Sequence, residues 1–225
     1  MLQKELRKTS SQLIYESIKD DIIFLRRKPG EEISIQALSE ELDVSRSPVR
    51  DALIKLQGEA LVEMLPQRGC WVSKIDLKRV EDERQLRLAL ERSVLESFNK
   101  MLKNSEIASL EYYLALQREA IKEKQSEAFY SADDSMHEVY FEAAGYKRFW
   151  DLLMKETGNY RRMRLLSFDA EGIAKKNIQQ HEELVDALRH GDFTSASRIT
   201  NEHISKLTIE LDAIVGEHPD YFIRG

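Results

Sequence analysis

The segment that most constrains the fold is the run DVSRSPVRDAL, which begins at Asp43. Ser45 is a residue type that favours the N-cap of a helix, and Pro48 would lie in the first turn, where amide groups have no helical partner. The apolar positions that follow have helical spacing and form one stripe, made by Val49, Leu53 and Leu56. The pattern predicts a short helix that starts at Ser45 and packs on a core.

Two arginines would lie at the start of this helix. Arg46 and Arg50 are four residues apart, so they share one face. An arginine can bind guanine through two hydrogen bonds in the major groove. Both arginines, with Ser45 and Ser47 beside them, are therefore candidate DNA contacts. The alternative is that the two arginines form an ordinary solvated face.

The flanking residues complete a DNA-binding pattern. Ser34 can cap a short preceding helix. After the arginine helix, residues 61–65 and 70–72 read as two short strands. The turn between them ends in Arg68 and Gly69, which we expect at the tip of a wing. The order of helix, turn, helix and hairpin predicts a winged helix-turn-helix, which favours DNA contact over a merely solvated face.

Composition limits what the rest of the chain can be. Its 225 residues have room for one large or two smaller domains. A single cysteine, Cys70, excludes an internal disulfide framework. The polar N-terminus lacks the apolar core of a signal peptide, and no apolar run reaches 18 residues. These features favour a cytoplasmic protein without a transmembrane helix.

The net charge of −6 is unexpected for a DNA-binding protein. Residues 1–75 contain 12 basic and 12 acidic residues, whereas residues 76–225 contain 22 and 28. The acidic excess therefore lies outside the predicted winged domain. Because that domain is neutral, we expect modest non-specific affinity for DNA and dependence on the correct sequence.

From residue 76 onward the sequence is helical throughout. We predict a mainly α protein, with a winged helix-turn-helix at 1–75 and an all-helical domain for metal or effector binding and dimerisation at 76–225. The first domain would open with a helix at about 10–28. The bundle helices are predicted near 76–102, 105–125, 127–144, 146–168, 171–190 and 193–216.

Four residues of the bundle form a candidate metal site. Asp133 and His137 are one helical turn apart, so both can reach one ion. His181 and His203 flank a predicted break at Gly191-Asp192, where glycine ends one helix and aspartate caps the next. In the resulting antiparallel hairpin the two histidines lie at nearly the same height and can face the other pair.

Imidazole and carboxylate ligands favour a divalent transition metal over calcium. Zn is the preferred assignment, with Ni, Fe or Mn as alternatives. The simpler interpretation is that these histidines only cap or pack helices, and we adopt it for His190 and His218, which lie beside a helix end and in the tail. For the other four residues the spacing alone leaves both interpretations open.

The N-terminal motifs resemble those of the GntR family of bacterial transcriptional regulators. The similarity covers about 13–73 and includes Pro29-Gly30, the run from Ser45 to Leu53, and Gly69 to Val72. It implies a dimeric transcription factor, commonly a repressor, that places one recognition helix in each half-site of a pseudo-palindromic operator.

Residues 77–215 are similar to the FCD domain, the ligand-sensing domain of the FadR branch of that family. The shared pattern consists of Arg87-x-x-x-Glu91, Asp133-x-x-x-His137 and the two later histidines. Met136 stands where the family pattern has an aromatic residue. The resemblance implies that Asp133 and the three histidines hold a divalent metal. Segments 66–75 and 164–169 are similar to an RspR-like subgroup linked to sugar-acid metabolism.

The same resemblance implies a small carboxylate effector, such as a sugar acid, held by the metal and by basic side chains. Arg87 matches a family position that often faces this pocket. Arg162 and Arg164 are further candidates, but they are two residues apart on a predicted helix, so at most one of them should line a central pocket. Surface salt bridges are the alternative for all three.

Three function classes follow. The first is a DNA-binding regulator, not an enzyme, controlled by an effector at the metal. The second is a metal-dependent hydrolase with a fused DNA-binding domain, with Glu138, Glu142 or Glu182 as the base that activates a metal-bound water. No nucleophile elbow or phosphate loop supports it. The third is a direct metal sensor, whose DNA affinity would follow the metal concentration without an organic effector.

Overall fold

Helices form most of the chain in this computed structural model, which describes residues 10–168, 172–205 and 211–223. The polar N-terminus up to residue 9 and the predicted helix segments at 169–171 and 206–210 lie outside the described residues. In chain order the elements are α1 (Ser10–Ile23), α2 (Ile35–Glu41), α3 (Arg46–Gly58), β1 (Val62–Leu65), β2 (Gly69–Val72), α4 (Leu77–Asn99), α5 (Asn104–Lys122), α6 (Ser126–Ala143), α7 (Lys147–Glu156), α8 (Gly158–Leu166), α9 (Ile173–Arg189), α10 (Phe193–Ser205), α11 (Leu211–Glu217) and a 3-10 turn (Pro219–Tyr221).

The described residues form two units. One runs to Leu77 and also contains the residues from His218 onward, and the other is Lys78–Glu217. The sequence instead predicted a single boundary at 75/76 with the C-terminal tail in the helical domain. The tail groups with the first unit because Ile75 pairs with it: the Ile75 amide donates to the Tyr221 carbonyl, and the Ile75 carbonyl accepts from the Ile223 amide.

In the first unit α1 and α2 pack on α3, as the helix-turn-helix pattern predicted. The buried faces include Ile18 and Ile22 of α1, Leu38 of α2, and Val49 and Leu53 of α3. Helix α1 ends at Ile23 rather than near 28, because Leu25 adopts a left-handed backbone with φ of 57°. Because Val49 and Leu53 are buried, the apolar stripe of α3 faces the core and its polar face is open to solvent or a ligand.

The wing is the antiparallel hairpin of β1 and β2, with Val62 opposite Val72. Residues 30–33 extend it. The Val72 amide donates to the Glu31 carbonyl, and the Ile33 amide donates to the Cys70 carbonyl, at 2.8 and 2.7 Å. Pro29-Gly30 thus leads the chain along the hairpin, so that the wing is braced on one side.

In the second unit, one helix that the sequence predicted is divided into two helices. The sequence predicted a continuous helix over 146–168, but it divides at Thr157 into α7 and α8. The buried carboxylate of Glu83 accepts hydrogen bonds from the Tyr160 amide and the Asn159 side chain, at 2.8 and 3.0 Å. This carboxylate satisfies the Tyr160 amide in the first turn of α8, where backbone donors have no helical partner.

The predicted break between α9 and α10 is confirmed. Gly191 has a φ of 69°, a left-handed conformation that glycine adopts without strain. Asp192 then accepts a hydrogen bond from the Ser195 amide at 3.1 Å and so caps α10. The two helices pack against each other as a hairpin. No helix within the described part of the chain is long and apolar enough to cross a membrane.

Candidate DNA-binding surface and metal centre

The polar face of α3 is open to solvent at its N-terminal end. Ser45, Arg46, Ser47 and Arg50 are all exposed, while Val49 between them is buried. Among the described residues, no acidic side chain pairs with Arg46 or Arg50. Both guanidinium groups are therefore uncompensated cations on one face, as direct contact with a DNA groove requires.

Ser45 lies at the N-cap position of α3, but its side chain makes no capping hydrogen bond there. Ser34 does cap α2, with its hydroxyl accepting from the Ala37 amide at 3.2 Å. The expectation that Ser45 stabilises α3 through its hydroxyl is not met in this structure. That hydroxyl and the first amides of α3 remain available to a phosphate oxygen.

Arg68 and Gly69 lie at the tip of the wing and are exposed. The turn requires glycine, because Gly69 has a φ of 134° and an added Cβ would come within 3.0 Å of the Trp71 ring. This tight turn holds Arg68 at the outer end of the hairpin. No acidic partner for Arg68 exists in the described ranges 10–168, 172–205 and 211–223.

In the second unit the structure brings the four predicted metal ligands together. Asp133 and His137 come from α6, His181 from α9 and His203 from α10. One ligand atom from each lies within 4.8 Å of the other three. Asp133, His137 and His181 are fully buried, and the His203 side chain is 8% exposed. His190 and His218 lie outside this cluster.

Two atoms of the cluster, Asp133 Oδ1 and His137 Nε2, are buried and have no hydrogen-bond partner among the described residues. His181 Nε2 lies 3.3 Å from His203 Nε2 and 3.6 Å from Asp133 Oδ1. A tetrahedral ion with bonds of 2.0–2.1 Å would separate its nitrogen ligands by roughly 3.3 Å. The donor set and its spacing therefore fit a divalent metal such as zinc.

Hydrogen bonds on the far side of each ring turn the Nε2 atoms toward that centre. His137 Nδ1 lies 2.6 Å from the Glu91 carboxylate, and His181 Nδ1 lies 2.7 Å from Gln117 Oε1. His203 Nδ1 lies 3.3 Å from Gln180 Oε1. An imidazole that donates from Nδ1 keeps a lone pair on Nε2, which is the form that binds a metal.

Burial and charge keep these groups in the protonation states that metal binding needs. Burial lowers the pKa of His181 to about 3 and that of His203 well below its usual value. Burial alone would raise the pKa of Asp133, but nearby positive charge, above all the guanidinium of Arg164, outweighs it and holds that pKa far below its usual value. The cluster therefore presents neutral imidazoles at His181 and His203 and an ionised carboxylate at Asp133.

One consequence is acid sensitivity of the metal-free protein. Because His181 has a lower pKa when folded than when unfolded, the unfolded chain binds more protons between about pH 6.5 and 3. The stability that neutral His181 provides is present above pH 6.5 and is lost as the pH falls. We expect the free energy of unfolding to drop by about 2 kcal/mol from this group between pH 7 and 5.

Chemical denaturation in the presence of a chelator measures this drop. The His181→Gln variant should show a shallower pH dependence than the wild type over the same range. His190→Gln is the matched control, since His190 is exposed. Parallel pH profiles for His181→Gln and the wild type would contradict the assignment of a buried neutral imidazole.

The structure separates the three predicted effector arginines. All three are buried, so surface salt bridging does not describe them. Arg164 donates to Asp133 and, at 2.8 Å, to Asp134. Arg87 Nη2 lies 3.7 Å from Asp133 and has no hydrogen-bond partner in the described chain. These two arginines therefore border the candidate metal ligands.

Arg162 lies elsewhere. Its guanidinium donates to the Asn159 side chain at 2.9 Å and faces Glu83 near the start of α8. Burial lowers its pKa to about 10. Of this pair, Arg164 borders the candidate metal ligands and Arg162 does not.

The glutamates considered as hydrolytic bases lie at the surface. Glu138 pairs with Lys147, and Glu182 accepts from Arg118, at 2.7 and 2.6 Å. Glu142 is exposed. Because each is next to or near a ligand in sequence but on another face of its helix, none is placed to activate a metal-bound water. This arrangement gives no support to the hydrolase interpretation.

Several residues of the centre were not identified from the sequence as site residues. The sequence indicates Glu91 only as part of the Arg87-x-x-x-Glu91 pattern and indicates no role for Asp134, Gln117 or Gln180. Asp134 accepts hydrogen bonds from Arg161 and Arg164. The spacing of Arg87 and Glu91, one helical turn, was a usable signal. No local pattern marks Gln117, since its partner is 64 residues away.

Comparison with known proteins finds relatives that align over most of the chain. The chain is 31% identical over 212 residues to the HTH-type transcriptional repressor RspR of Escherichia coli, an alignment that covers 94% of this chain and 93% of the relative. It is 26% identical over 200 residues to the HTH-type transcriptional regulator LutR of Bacillus subtilis, covering 80% of this chain and 91% of LutR. The relatives that share most of the chain are thus transcriptional regulators.

Solved structures share the fold. E. coli McbR/YncC superposes with a TM-score of 0.80 at 15% identity, covering 94% of this chain and 99% of that one. A GntR-type regulator from Rhodococcus sp. RHA1 gives a TM-score of 0.77 at 21% identity, with 94% and 100% coverage. At these identities the likeness supports the architecture alone.

Family models assign each unit. Residues 10–72 match the model for bacterial regulatory proteins of the gntR family, and residues 83–206 match the FCD domain. The first range contains the helix-turn-helix and the wing, and the second contains the whole Asp-His cluster. The chain therefore belongs to the GntR family of DNA-binding transcriptional regulators, with an FCD domain behind its winged helix-turn-helix.

Proposed function

We propose that this protein is a homodimeric repressor whose binding to a pseudo-palindromic operator is controlled by a small carboxylate at a divalent metal in the FCD domain. Ser45, Arg46, Ser47, Arg50, Arg68 and Gly69 would form the DNA-binding surface. Asp133, His137, His181 and His203 would hold the metal, with zinc preferred. The observation that carries the proposal is a buried centre where four candidate ligand atoms converge and where two of them, Asp133 Oδ1 and His137 Nε2, and the nearby Arg87 Nη2 have no hydrogen-bond partner among the described residues.

Charge around the centre favours an anionic effector. Three guanidinium groups, those of Arg87, Arg161 and Arg164, face three carboxylates, those of Glu91, Asp133 and Asp134. These charges balance, and His181 and His203 are neutral. A bound divalent cation would leave an excess of two positive charges in a buried site, where uncompensated charge is costly. A carboxylate effector offsets part of that excess.

Individual residues would have distinct roles in effector binding. When bound, the metal supplies coordination positions to a carboxylate oxygen. Arg87 Nη2 is free to donate to the same carboxylate. Arg164 is committed to Asp133 and Asp134, and it holds the ligand carboxylate in place. We do not assign Arg162 a direct contact, because it is bonded to Asn159.

The effector would act by preferring one state of the dimer. An effector changes operator affinity only as far as it binds the DNA-competent and incompetent states differently, and the coupling is reciprocal. The relation of this chain to RspR, a repressor, supports a repressor role. A sugar acid is the effector class we favour, because its carboxylate and hydroxyl groups can occupy both a metal and an arginine.

Calorimetry with a panel of organic acids tests the effector class. We expect at least one hydroxy or sugar acid to bind zinc-loaded protein at least ~10-fold more tightly than chelator-treated protein, because its carboxylate would lose the contact with the metal in the stripped form. The same acid should change operator affinity in a fluorescence polarisation assay. Equal affinity for the loaded and stripped forms would contradict a carboxylate on the metal.

The direct metal sensor is the second candidate, and the same assays separate it. In that case zinc alone would change operator affinity, and no acid of the panel would alter it further. The cluster geometry is compatible with both, but the unpartnered Nη2 of Arg87 favours an organic anion. A metal sensor has no need of a buried donor beside its ion.

A further inference from the structure

The three histidines of the centre differ in the group that their Nδ1 atoms contact. His181 and His203 face the neutral amides of Gln117 and Gln180, whereas His137 faces the carboxylate of Glu91. A side-chain amide can accept or donate, but an ionised carboxylate can only accept. Arg87, which donates to the same carboxylate, favours its ionised form. His137 is therefore the ring whose proton is fixed on Nδ1.

Glu91 also joins this histidine to Arg87. One carboxylate oxygen accepts from Arg87 Nε at 2.6 Å, and the other contacts His137 Nδ1 at 2.6 Å. The Arg87 and Glu91 side chains are 2% and 1% exposed, so solvent does not screen the pair. On its other edge Arg87 lies 3.7 Å from the ligand carboxylate of Asp133. A single arginine thus contacts the partner of one ligand and borders another.

We infer that Glu91 is a positioning residue that sets the metal affinity through His137 and that Arg87 acts on the metal through Glu91. The inference rests on the proposed metal site. A carboxylate behind a ligating imidazole fixes its orientation and raises its basicity. An anion that binds Arg87 shares its positive charge, so less of that charge remains to balance the Glu91 carboxylate. This pair is therefore the physical connection between effector binding and the strength with which the centre holds its metal.

The side-chain amide of Gln117, which contacts His181, is oriented by a hydrogen bond to a thioether rather than by a charged group. Gln117 Nε2 donates to the Met136 thioether at 3.5 Å, and a thioether can only accept. Gln117 Oε1 is thereby turned toward His181 Nδ1. Met136, the residue that departs from the family pattern, thus fixes an amide behind a ligand. Because this partner is neutral, its influence on the metal should be weaker than that of Glu91.

Zinc affinity, measured by competition with a fluorescent chelator, tests the positioning role. Glu91→Gln is expected to weaken zinc binding about 10–100-fold. Gln180→Leu, which removes the neutral and more distant acceptor, should weaken it less. Glu182→Gln is the control, because Glu182 is exposed and paired with Arg118. Unchanged affinity in Glu91→Gln, or a larger loss in Gln180→Leu, would overturn the assignment.

A double-mutant cycle tests the connection to Arg87. The effect of Arg87→Met on zinc affinity should differ by at least about threefold between the wild-type and Glu91→Gln backgrounds. Equal effects in the two backgrounds would show that Arg87 does not act through Glu91. If wild-type protein binds no zinc, the proposed function itself fails, and this outcome is distinct from either result above.

Two further measurements separate positioning from folding. Arg87→Met/Glu91→Leu removes both buried charges together, so it should fold, and it should still lose zinc affinity. In metal-free wild-type protein, imidazole ¹H–¹⁵N correlation spectra should show His137 protonated on Nδ1 alone, and Glu91→Gln should show both tautomers. A single Nδ1 tautomer in Glu91→Gln, or wild-type zinc affinity in the folded double variant, would contradict the proposal.

Discussion

Replacement of His181 or His203 with alanine is expected to abolish stoichiometric zinc binding. Each change removes one of four ligating side chains that lie within 4.8 Å of one another. Loss of an outer partner alone costs ~10–100-fold in metal affinity, so loss of a ligand should cost more than ~100-fold. Elemental analysis of protein purified with zinc, followed by chelator competition, measures both occupancy and affinity.

The chain offers a matched control for this experiment. His190 is exposed and bonds to the Asp186 carbonyl at the end of α9, so His190→Ala should keep full zinc occupancy. Both ligand variants should also lose the metal-dependent part of organic-acid binding. Similar zinc content in the His181, His203 and His190 variants would show that the cluster is not the metal site.

Replacement of Arg46 or Arg50 with alanine is expected to cost ~1–3 kcal/mol of binding free energy on the cognate operator and to relax preference at one position in each half-site. Both side chains are exposed on the N-terminal face of α3. The operator can be recovered by selection from random duplex DNA with wild-type protein. Fluorescence polarisation on that operator and on single-base variants gives affinity and preference together.

Gln57→Ala is the control for this surface, since Gln57 is exposed near the C-terminal end of the same helix. It should leave operator affinity unchanged. Arg68→Ala, at the wing tip, should weaken binding with less effect on sequence preference, as expected for a phosphate contact. If affinity and preference survive both the Arg46 and Arg50 substitutions, α3 is not the recognition helix.

Most of the DNA-binding domain could be predicted from the sequence, because its signals are local. The apolar spacing of Val49, Leu53 and Leu56 gives the buried face of α3 and thus leaves Arg46 and Arg50 on the other side. The bracing of the wing by residues 30–33 could not be predicted, because those residues pair with a strand about 40 positions away. The behaviour of Ser45 could not be predicted either: it lies at the N-cap position of α3, but its side chain makes no capping hydrogen bond.

The metal centre, too, could be predicted from the sequence only in part. The ligand set could be proposed from spacing, because a one-turn separation within α6 and a glycine break between α9 and α10 fix which side chains can meet. Which of the two arginines contacts this ligand set could not be predicted from the sequence. Arg162 and Arg164 have similar local surroundings in sequence, and only the packing of α8 turned Arg164 toward Asp133.

The order of the two folds, the exposed arginines of α3 and the four candidate ligands could all be predicted without a structure, because each follows from helical periodicity or a turn residue. The tertiary structure decided the Glu91 and Gln117 contacts behind the histidines, the division of α7 from α8 at Thr157, and the placement of the C-terminal tail with the first unit. These depend on hydrogen bonds between residues 46 to about 150 positions apart, for which a single sequence carries no periodic signal.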